Sequence, residues 1–393
     1  METKNVKLGH IAEIKTGPFG SALHNSDYVS NGVPIITVEH IGNLGIVHAS
    51  DVPRVNADDY ERLSAYRLKT GDIVFSRVGA VDRTAIVQDS EDGWLFSGRL
   101  LRVRPNPDFV DSGFLNVYFS QSRFRKYMYA IANGSTMPSI NTKILASIEV
   151  ELPSMQFQKV IAWIFRQIDE NLRVNQQINS NLLKLSSNIA MAASLKSERI
   201  TDLQTLLDTS RKANISIDEI SLDTYVSNTS LRANKRGLDT AEDYPSVKTV
   251  RAVEPGDILV GNIRPYFKTI WFADRTGGAS NDVITFRADN AVVTPEFLFG
   301  ILYSDLFFDY VTATSKGTKM PRGDKQAIAL YQVGLPDKDV IASVTDVVKP
   351  MFEQASLNER QNQQLTKLRD LLLPKLLAGD IDLSNIETVM NNA

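Results

Sequence analysis

The chain contains no cysteine among its 393 residues, which excludes several kinds of structure and chemistry. Disulfide scaffolds, thiolate catalysis, and zinc or iron–sulfur sites with cysteine ligands all require a thiol. Histidine is almost as scarce, because the four histidines lie at or before His48 and lack the His-Glu-x-x-His spacing of a catalytic zinc site. The composition therefore predicts a protein without a metal site.

Long apolar runs and an excess of positive charge are also missing. No run of about 18 apolar residues occurs, and the first residues, Met-Glu-Thr-Lys-Asn-Val-Lys, do not form the apolar stretch of a signal peptide. We therefore expect a cytoplasmic protein that makes no contact with a membrane. The 43 basic and 46 acidic residues give a net charge of −3, so a DNA-binding surface would have to be local.

The sequence motifs of common enzymes are absent. There is no Walker phosphate loop, no strand-linked Gly-x-Gly-x-x-Gly, no Gly-x-Ser-x-Gly, and no Pro-Pro pair such as an amino-methyltransferase motif would contain. Acidic pairs such as Asp58-Asp59 and Glu242-Asp243 lie in polar loop sequence, which is typical of a solvated surface. These absences predict a chain with no catalytic site and no cofactor of its own.

The chain contains an internal duplication. Residues 97–190 align without a gap to residues 280–373, at a constant offset of 183. The triplet Gly71-Asp72-Ile73 recurs as Gly256-Asp257-Ile258 at an offset of 185, and upstream of the triplets the halves diverge. Self-similarity of this kind predicts two copies of one structural unit, each with a variable front part and a better-matched back part. Matched identities include Arg104/Arg287, Gly134/Gly317, Met137/Met320, Pro138/Pro321 and Leu152/Leu335.

Each copy ends in a sequence typical of a long amphipathic helix. Residues 154–236 contain no glycine or proline, and apolar residues recur there in alternating steps of four and three. The pattern predicts two helices that pack against each other through a heptad seam with a matched polar break. Pro350 should kink the second helix near Asp346 or mark a late start, and Gly379 is a plausible cap. The predicted seam includes Ile161, Ile164, Ile168, Asn175, Leu182 and Leu185, and then Val344, Val347, Met351, Asn358, Leu365 and Leu368.

Local basic clusters are the remaining candidates for a functional surface. Arg77 and Arg264 both follow the Gly-Asp-Ile strand, and Lys316 to Lys325 surround a glycine-containing turn. Arginine suits bidentate recognition of guanine, whereas lysine usually neutralises phosphate. A solvated charged face is the alternative for any single cluster, and Arg102 with Arg104 fits the exposed face of a half-buried strand. The candidate DNA-contacting residues are Ser76, Arg77, Arg83, Lys143, Asn262, Arg264, Lys268, Lys316, Lys319 and Arg322.

The order of these motifs resembles the specificity subunit of type I restriction-modification systems. The resemblance covers almost the full length. It rests on Leu8-Gly9-His10-Ile11, Gly71 to Val74, Gly134 to Ile140, Leu152-Pro153 and a long helix, then on the repeat of this order through Gly256 to Leu259, Gly317 to Pro321 and Leu335-Pro336, and on the closing Leu365 to Gly379 segment.

The resemblance implies an α+β fold. Two mixed α/β target-recognition domains, separated by two long antiparallel coiled-coil helices, would each read one half of an asymmetric bipartite site in double-stranded DNA. It also implies partners: two methyltransferase subunits that use S-adenosylmethionine, and restriction (motor) subunits that use ATP and Mg²⁺. The assembled complex would be an adenine-N6 methyltransferase and an ATP-dependent endonuclease. Residues 154–197 and 337–378 would be the docking surface for the methyltransferases.

The predicted domain boundaries follow from the repeat and the helices. They are 1–153 for the first recognition domain, 154–200 for the first helix, 201–214 for a polar connector, 215–336 for the second recognition domain, 337–380 for the second helix, and 381–393 for a tail. Three other functions remain open: a specificity module of another restriction class, a duplicated coiled-coil adaptor that binds no DNA, and an enzyme with an unrecognised carboxylate site.

Overall fold

The computed structural model describes residues 3–19, 22–42, 45–48, 52–134, 136–208, 210, 213–378 and 380–381. The chain divides into two compact units. The first unit comprises residues 1–173 with 363–393, and the second unit comprises residues 174–362. Both units are mixed α/β structures, as predicted, and each includes part of both long helices.

The first unit is built around an antiparallel four-stranded sheet. Its strands, in order across the sheet, are Ala12–Thr16, Leu100–Pro105, Ile73–Ser76 and Thr84–Ile86. A smaller sheet contains Leu95–Phe96, Val33–Ile36, Arg54–Val55 and Tyr28–Val29, and Lys4–Lys7 pairs with Glu149–Leu152. A short hairpin joins Ile41–Gly42 to Gly45–Ile46. The helices before the first long helix are Leu8–Ile11, Ala57–Arg62, Ser112–Ser120, Ser122–Ile131 and Thr142–Ser147.

The second unit repeats this plan. Strands Ile270–Phe272, Ile258–Gly261 and Val283–Phe286 form its central sheet in the described part of the chain. A second sheet contains Asn214–Ser216, Thr249–Val253, Gly277–Ala279 and Tyr225–Val226, and Ile200–Asp202 pairs with Gln332–Gly334. Helices Pro295–Leu302, Asp305–Ala313 and Lys325–Ala329 follow the central sheet.

Strand register shows the duplication directly. Ile73 lies opposite Val103 in the first unit, and Ile258 lies opposite Phe286 in the second. Ile73 and Ile258 are related by the offset of 185, and Val103 and Phe286 by the offset of 183. The two units therefore share their central strand pairing as well as their sequence motifs.

A buried ion pair explains why the Gly-Asp-Ile triplet recurs. Asp72 and Asp257 are each about 1% exposed, and each carboxylate accepts two hydrogen bonds from one arginine, Arg104 in the neighbouring strand or Arg287 directly after it. The distances are 2.7 Å from Arg104 Nε to Asp72 Oδ1 and 2.7 Å from Arg287 Nε to Asp257 Oδ1. The same carboxylates accept the backbone N–H three residues upstream, which closes the turn before the strand.

The interpretation of Arg102 and Arg104 as an exposed strand face is wrong. Arg102 is 2% exposed and its guanidinium donates to Glu13 at 2.6 Å, while Arg104 is held by Asp72. Burial is the main cause of a lowered pKa for Arg102, and the hydrogen bonds that Arg104 donates to Asp72 are the main cause of a raised pKa for Arg104. The alternation of charged and apolar residues did not predict this burial, because both arginines form ion pairs with acidic residues of the same unit.

The first long helix is Met155–Leu195 and the second is Lys338–Ala378. The first therefore ends before the predicted residue 200, and the second lies within its predicted bounds. Pro350 lies inside the second helix at an exposed position, so the predicted late start is wrong. Water can solvate the Asp346 carbonyl that the proline leaves without an N–H partner, because Asp346 is exposed too. Gly379 and most of the predicted tail lie outside the described residues.

Both long helices contribute apolar side chains to the cores of the units more than the predicted seam implied. Phe165 and Leu172 are buried on the first helix, and Val348 and Phe352 on the second, although none of them is in the predicted seam. Within that seam Ile161, Ile168, Val344 and Asn358 are buried, Ile164, Asn175, Leu182, Met351 and Leu365 are half-buried, and Leu185, Val347 and Leu368 are mostly exposed.

The predicted polar break is a hydrogen-bonded asparagine layer in the second unit. Asn175 Nδ2 donates to Asn362 Oδ1 at 3.0 Å, and Asn358 Nδ2 donates to Asn179 Oδ1 at 2.8 Å. The two bonds are related by the offset of 183, because Asn175 corresponds to Asn358 and Asn179 to Asn362. They pair an early position on one helix with a late position on the other, so the helices are antiparallel there. Asn358 thus pairs with Asn179, which the sequence analysis did not include.

The first part of the predicted polar connector, residues 201–206 of 201–214, contributes to the core of the second unit. Thr201 and Asp202 belong to a strand, Leu203–Leu206 form a 3₁₀ turn, and Leu203 and Leu206 are fully buried. They pack in the cluster that contains Phe297 and Phe307. The boundary of the second unit therefore lies upstream of the predicted residue 215.

Replacing Leu203 with alanine is expected to lower the free energy of unfolding by about 3 kcal/mol, because a fully buried leucine leaves a cavity. Urea unfolding measured on the full-length chain checks the value. Leu195→Ala is the matched control, since Leu195 is 73% exposed at the end of the first long helix. Equal effects of the two substitutions would mean that residues 201–206 are the connector that the sequence suggested.

Candidate nucleic-acid interface

Two loops meet at one edge of each central sheet. The strand-exit loop, residues 77–83 in the first unit and 262–268 in the second, follows the Gly-Asp-Ile strand. The glycine loop comprises residues 133–140 in the first unit, of which 135 lies outside the described residues, and 316–323 in the second. The loops are separated by 49 residues in the first unit and 47 in the second, yet the same backbone hydrogen bonds join them in both units.

In the first unit Gly79 N–H donates to the Pro138 carbonyl at 2.8 Å, and Ile140 N–H donates to the Arg77 carbonyl at 2.9 Å. In the second unit Arg264 N–H donates to the Pro321 carbonyl at 2.7 Å, and Gly323 N–H donates to the Asn262 carbonyl at 3.1 Å. The donor and acceptor of each bond in the first unit are related to those in the second by the repeat offsets of 185 and 183. The two units therefore present the same loop framework with different side chains.

A left-handed glycine closes each glycine loop. Gly134 has a φ of +92° and Gly317 a φ of +96°, a conformation that residues with a side chain rarely adopt. A Cβ at position 134 would lie 2.9 Å from the Met137 carbonyl oxygen. The matched Gly134/Gly317 pair is therefore required by the turn and need not contact a ligand.

The first unit exposes some of the predicted DNA-contacting residues. Arg83 and Lys143 are exposed. Arg77 is half-buried, with its guanidinium 5.8 Å from the centre of the Phe19 ring and its Nη1 3.4 Å from the Gly98 carbonyl oxygen. Ser76 is completely buried and its hydroxyl donates to the Val78 carbonyl, so the prediction that Ser76 contacts DNA is wrong for this conformation.

The second unit exposes Arg264, Lys316, Lys319 and Arg322. Lys316 contacts Asp324 at 2.6 Å and Arg322 contacts Asp282 at 2.9 Å, both as ion pairs with substantial exposure. Among the described residues, no ion pair involves Arg264 or Lys319. Asn262 is buried, and its Oδ1 has no hydrogen-bond partner among the described residues, so it is not available at the surface as predicted.

Lys268 is held by acidic residues of its own unit. Its ammonium lies 2.9 Å from Asp305 Oδ1 and 3.2 Å from Asp309 Oδ1, and Lys235 contacts the same Asp305 oxygen at 2.9 Å. We call Lys235, Lys268, Asp305 and Asp309 the clasp. Hydrogen bonds from Lys235 and Lys268 lower the pKa of Asp305 to about 2. Because the pKa of Asp305 is lowered, its ion pairs with Lys235 and Lys268 contribute their full stability above about pH 4 and weaken as the pH falls towards 2.

Backbone strain in the second unit is concentrated beside the clasp. Within the described residues, non-glycine residues with positive φ are Asn234, Lys235, Arg264 and Lys268, with φ values from +50° to +59°. Such a conformation costs about 1–2 kcal/mol for a residue with a side chain. Two backbone hydrogen bonds, from Asn234 to the Phe267 carbonyl and from Lys235 to the Lys268 carbonyl, join the strained segments.

Exposed apolar side chains on the loops were missed by the sequence analysis as site candidates. Met137 is 64% exposed and its counterpart Met320 is 48% exposed, each at the tip of a glycine loop. Tyr266 and Phe267 are exposed on the strand-exit loop of the second unit, with ring centroids 4.8 Å apart. The repeat already shows that Met137 and Met320 are identical, and this identity could have marked them as candidate site residues.

Neither a metal cluster nor a membrane segment is found in the described ranges. No group of three or more histidine, aspartate or glutamate residues there is arranged to hold a metal ion. Over the same residues, no helix has the length and apolar character needed to cross a bilayer.

Comparison with known proteins finds a family model that matches the first part of the chain. Residues 1–184 match the family described as the type I restriction modification DNA specificity domain. This part of the chain is similar to that domain. The match covers residues 1–173 of the first unit and continues through most of the first long helix.

Similar proteins extend the match to the whole length. The type I restriction enzyme MjaVIII specificity subunit of Methanocaldococcus jannaschii is 23% identical over 188 residues, which cover 47% of this chain and 43% of that protein. The MjaIX specificity subunit of the same organism is 19% identical over 404 residues, covering 95% of this chain and 92% of that protein. The alignment with the MjaVIII subunit therefore covers less than half of that protein.

A solved structure shares the fold. The crystal structure of the type I restriction-modification system S subunit from M. genitalium matches with a TM-score of 0.56 at 12% identity, and the match covers 95% of this chain and 96% of that one. The similarity supports the predicted fold class for both units. The relatives found by sequence comparison are themselves described as specificity subunits of type I restriction enzymes.

Proposed function

We propose that this chain is the DNA-sequence specificity subunit of a type I restriction-modification complex and reads an asymmetric bipartite site, one half with each unit. The observation that carries the proposal is the repeated loop framework. Identical backbone hydrogen bonds hold the two loops in both units, whereas the exposed basic side chains differ. A constant framework with variable side chains is what recognition of two different half-sites requires.

The charge distribution favours a DNA-binding surface formed by a few exposed basic residues rather than by the chain as a whole. The chain has a net charge of −3, and several basic residues at the loops are neutralised by acidic neighbours such as Asp282 and Asp324. Arg83, Arg264 and Lys319 are exposed and form no ion pair among the described residues. We infer that these three contact duplex DNA directly, and that the half-sites lie about 34 Å apart, one helical turn.

Partner subunits would supply the chemistry. We propose that the long helices dock two methyltransferase subunits, which bind S-adenosylmethionine and methylate adenine N6, and that restriction subunits bind ATP and Mg²⁺. This chain would then be a cytoplasmic, non-catalytic member of the complex. The exposed residues of the predicted seam, Leu185, Val347 and Leu368, are available for such docking.

The proposal is tested by selecting DNA from a random pool with the full-length chain, in the assembly in which it is isolated from its host. We expect two fixed half-sites separated by a nonspecific spacer. Sequencing N6-methyladenine in host DNA, with and without the gene, should identify the same site. A pool that shows no sequence selection, with host methylation unchanged, would exclude the function and favour the coiled-coil adaptor.

Lys319→Ala should weaken binding about equally for all sequences and reduce the slope of log K against log salt by about 1, because lysine usually contacts phosphate. Equilibrium binding is measured between 50 and 200 mM salt, a range over which phosphate contacts are resolved. Lys4→Ala is the control, since Lys4 is an exposed lysine in a strand of the first unit. An unchanged salt slope for Lys319→Ala would place Lys319 away from the DNA.

A further inference from the structure

Arg264 occupies a position where the first unit has glycine. The offset of 185 that relates the two Gly-Asp-Ile triplets also relates Gly79 to Arg264. Both residues have positive φ, +78° for Gly79 and +53° for Arg264, and both donate their N–H to a proline carbonyl of the glycine loop. The turn is therefore the same, and glycine alone satisfies it without strain.

The side chain at this position points into open space. A Cβ built on Gly79 would meet no atom within 4 Å, and the side chain of Arg264 is exposed. Arg264 forms no ion pair with another described residue. The arginine thus adds backbone strain without an internal contact that would offset it. Such strain persists where the surrounding structure holds it and where a function uses it.

The strained loop is fixed at both ends. The Arg264 N–H bond to Pro321 holds one end, and at the other end the left-handed Lys268 is held by Asp305. Lys235 N–H donates to the Lys268 carbonyl at 2.9 Å, while its ammonium binds Asp305 and lies 4.9 Å from the centre of the Tyr303 ring. The clasp therefore fixes the backbone from which Arg264 extends.

Rigid placement distinguishes two kinds of DNA contact. A phosphate contact needs a positive charge near the backbone, which a flexible side chain can supply. Bidentate recognition of guanine O6 and N7 needs a planar guanidinium in a fixed orientation, so the residue must be held by supporting contacts. At Arg264 the backbone is fixed by these contacts, and the exposed guanidinium has no partner among the described residues, so it is free to take up that orientation against a base edge.

We propose that Arg264 is a specificity-determining residue that reads a guanine in the second half-site, and that Lys235, Lys268 and Asp305 are positioning residues that hold its loop. This rests on the proposed function and deepens it. It also changes the role of Lys268, which the sequence analysis placed in contact with DNA. Lys268 acts through Asp305 and does not need to touch the duplex.

Arg264→Gly tests whether Arg264 reads a guanine, because it places at this position the residue that the first unit has there, Gly79. The full-length chain in its native assembly selects DNA from a random pool, and thermal unfolding is measured on the same preparation. We expect the guanine preference at one position of the second half-site to fall by about tenfold or more, within the range for a bidentate base contact. The first half-site should be unchanged, and the unfolding midpoint should not fall.

Asp305→Asn tests the second part, because it retains Arg264 and removes the charge that both lysines bind. We expect weaker discrimination at the same guanine with an unchanged salt slope, since no phosphate contact is lost. Arg251→Ala is the matched control, an exposed arginine on a strand of the same unit, and should alter neither property.

Two results would overturn the proposal. One is full retention of the guanine preference in Arg264→Gly. The other is a loss of affinity that is uniform across sequences with a smaller salt slope, which would make Arg264 a phosphate contact. Both presuppose that the unaltered chain selects two half-sites. If it selects none, the proposed function fails as a whole, so the two failures are distinguishable.

Discussion

Replacing Asp257 with alanine is expected to lower the free energy of unfolding of the chain by about 3 kcal/mol. The substitution removes a carboxylate that is about 1% exposed and leaves the Arg287 guanidinium without its main partner. Breaking a buried ion pair on one side costs about 3–5 kcal/mol, and the lower end applies because the Arg287 side chain is 17% exposed and can reach water. The backbone N–H of Glu254 also loses its acceptor.

Urea unfolding of Asp257→Ala measures this effect, and Asp243→Ala is the control because Asp243 is exposed. The double substitution Asp257→Leu with Arg287→Met should recover much of the loss, since neither charge is then left unpaired. The equivalent pair, Asp72 with Arg104, should behave alike in the first unit. If Asp257→Ala unfolded like Asp243→Ala, the Gly-Asp-Ile motif would need another explanation.

Inserting one heptad into each long helix should lengthen the spacer between the half-sites by about three base pairs. Seven helical residues add about 10 Å, and duplex DNA rises about 3.4 Å per base pair. Insertion after Val174 and after Asn362 keeps the Asn175–Asn362 bond within the second unit and the Asp169–Arg369 contact within the first. The half-site sequences should stay the same, because no loop is altered.

Selection from a random pool again gives both quantities, the half-sites and their spacing. A heptad inserted into the first helix alone is the control, because it offsets one helix against the other and should destabilise the chain without giving a new preferred spacer. Changed half-sites with an unchanged spacer would contradict the view that the helices set the distance. An unchanged spacer with unchanged half-sites would do so equally.

Much of the fold could be predicted because the sequence contains two copies of the same structural unit. The repeat offset predicted which strands, loops and helices correspond, and the strand register shows that correspondence in both central sheets. The polar break in the helices was also readable, because asparagine at buried helix positions is rare enough to be noticed. Its pairing was not, since heptad spacing alone does not say which asparagine lies opposite Asn358.

The errors have one physical origin, which is tertiary packing that local patterns do not contain. Leu203 and Leu206 lie in polar sequence but reach the core of the second unit. Ser76 and Asn262 were predicted to contact DNA, yet both are buried, and the Asn262 carbonyl accepts the N–H of Gly323 in the glycine loop. The left-handed Arg264 had no local signal, because only comparison with Gly79 reveals that a glycine conformation is occupied by arginine.

The division of the chain into units sets the order in which they can be completed during synthesis. The second unit is one continuous segment, residues 174–362, so all of its residues are available once that segment has left the ribosome. The first unit begins at the N-terminus, but its core contains Leu373, Leu376 and Leu377 beside Phe114 and Phe165. The first unit must therefore remain unfinished until residues 373–377 have been synthesised, and loss of those residues damages the unit that contains residues 1–173.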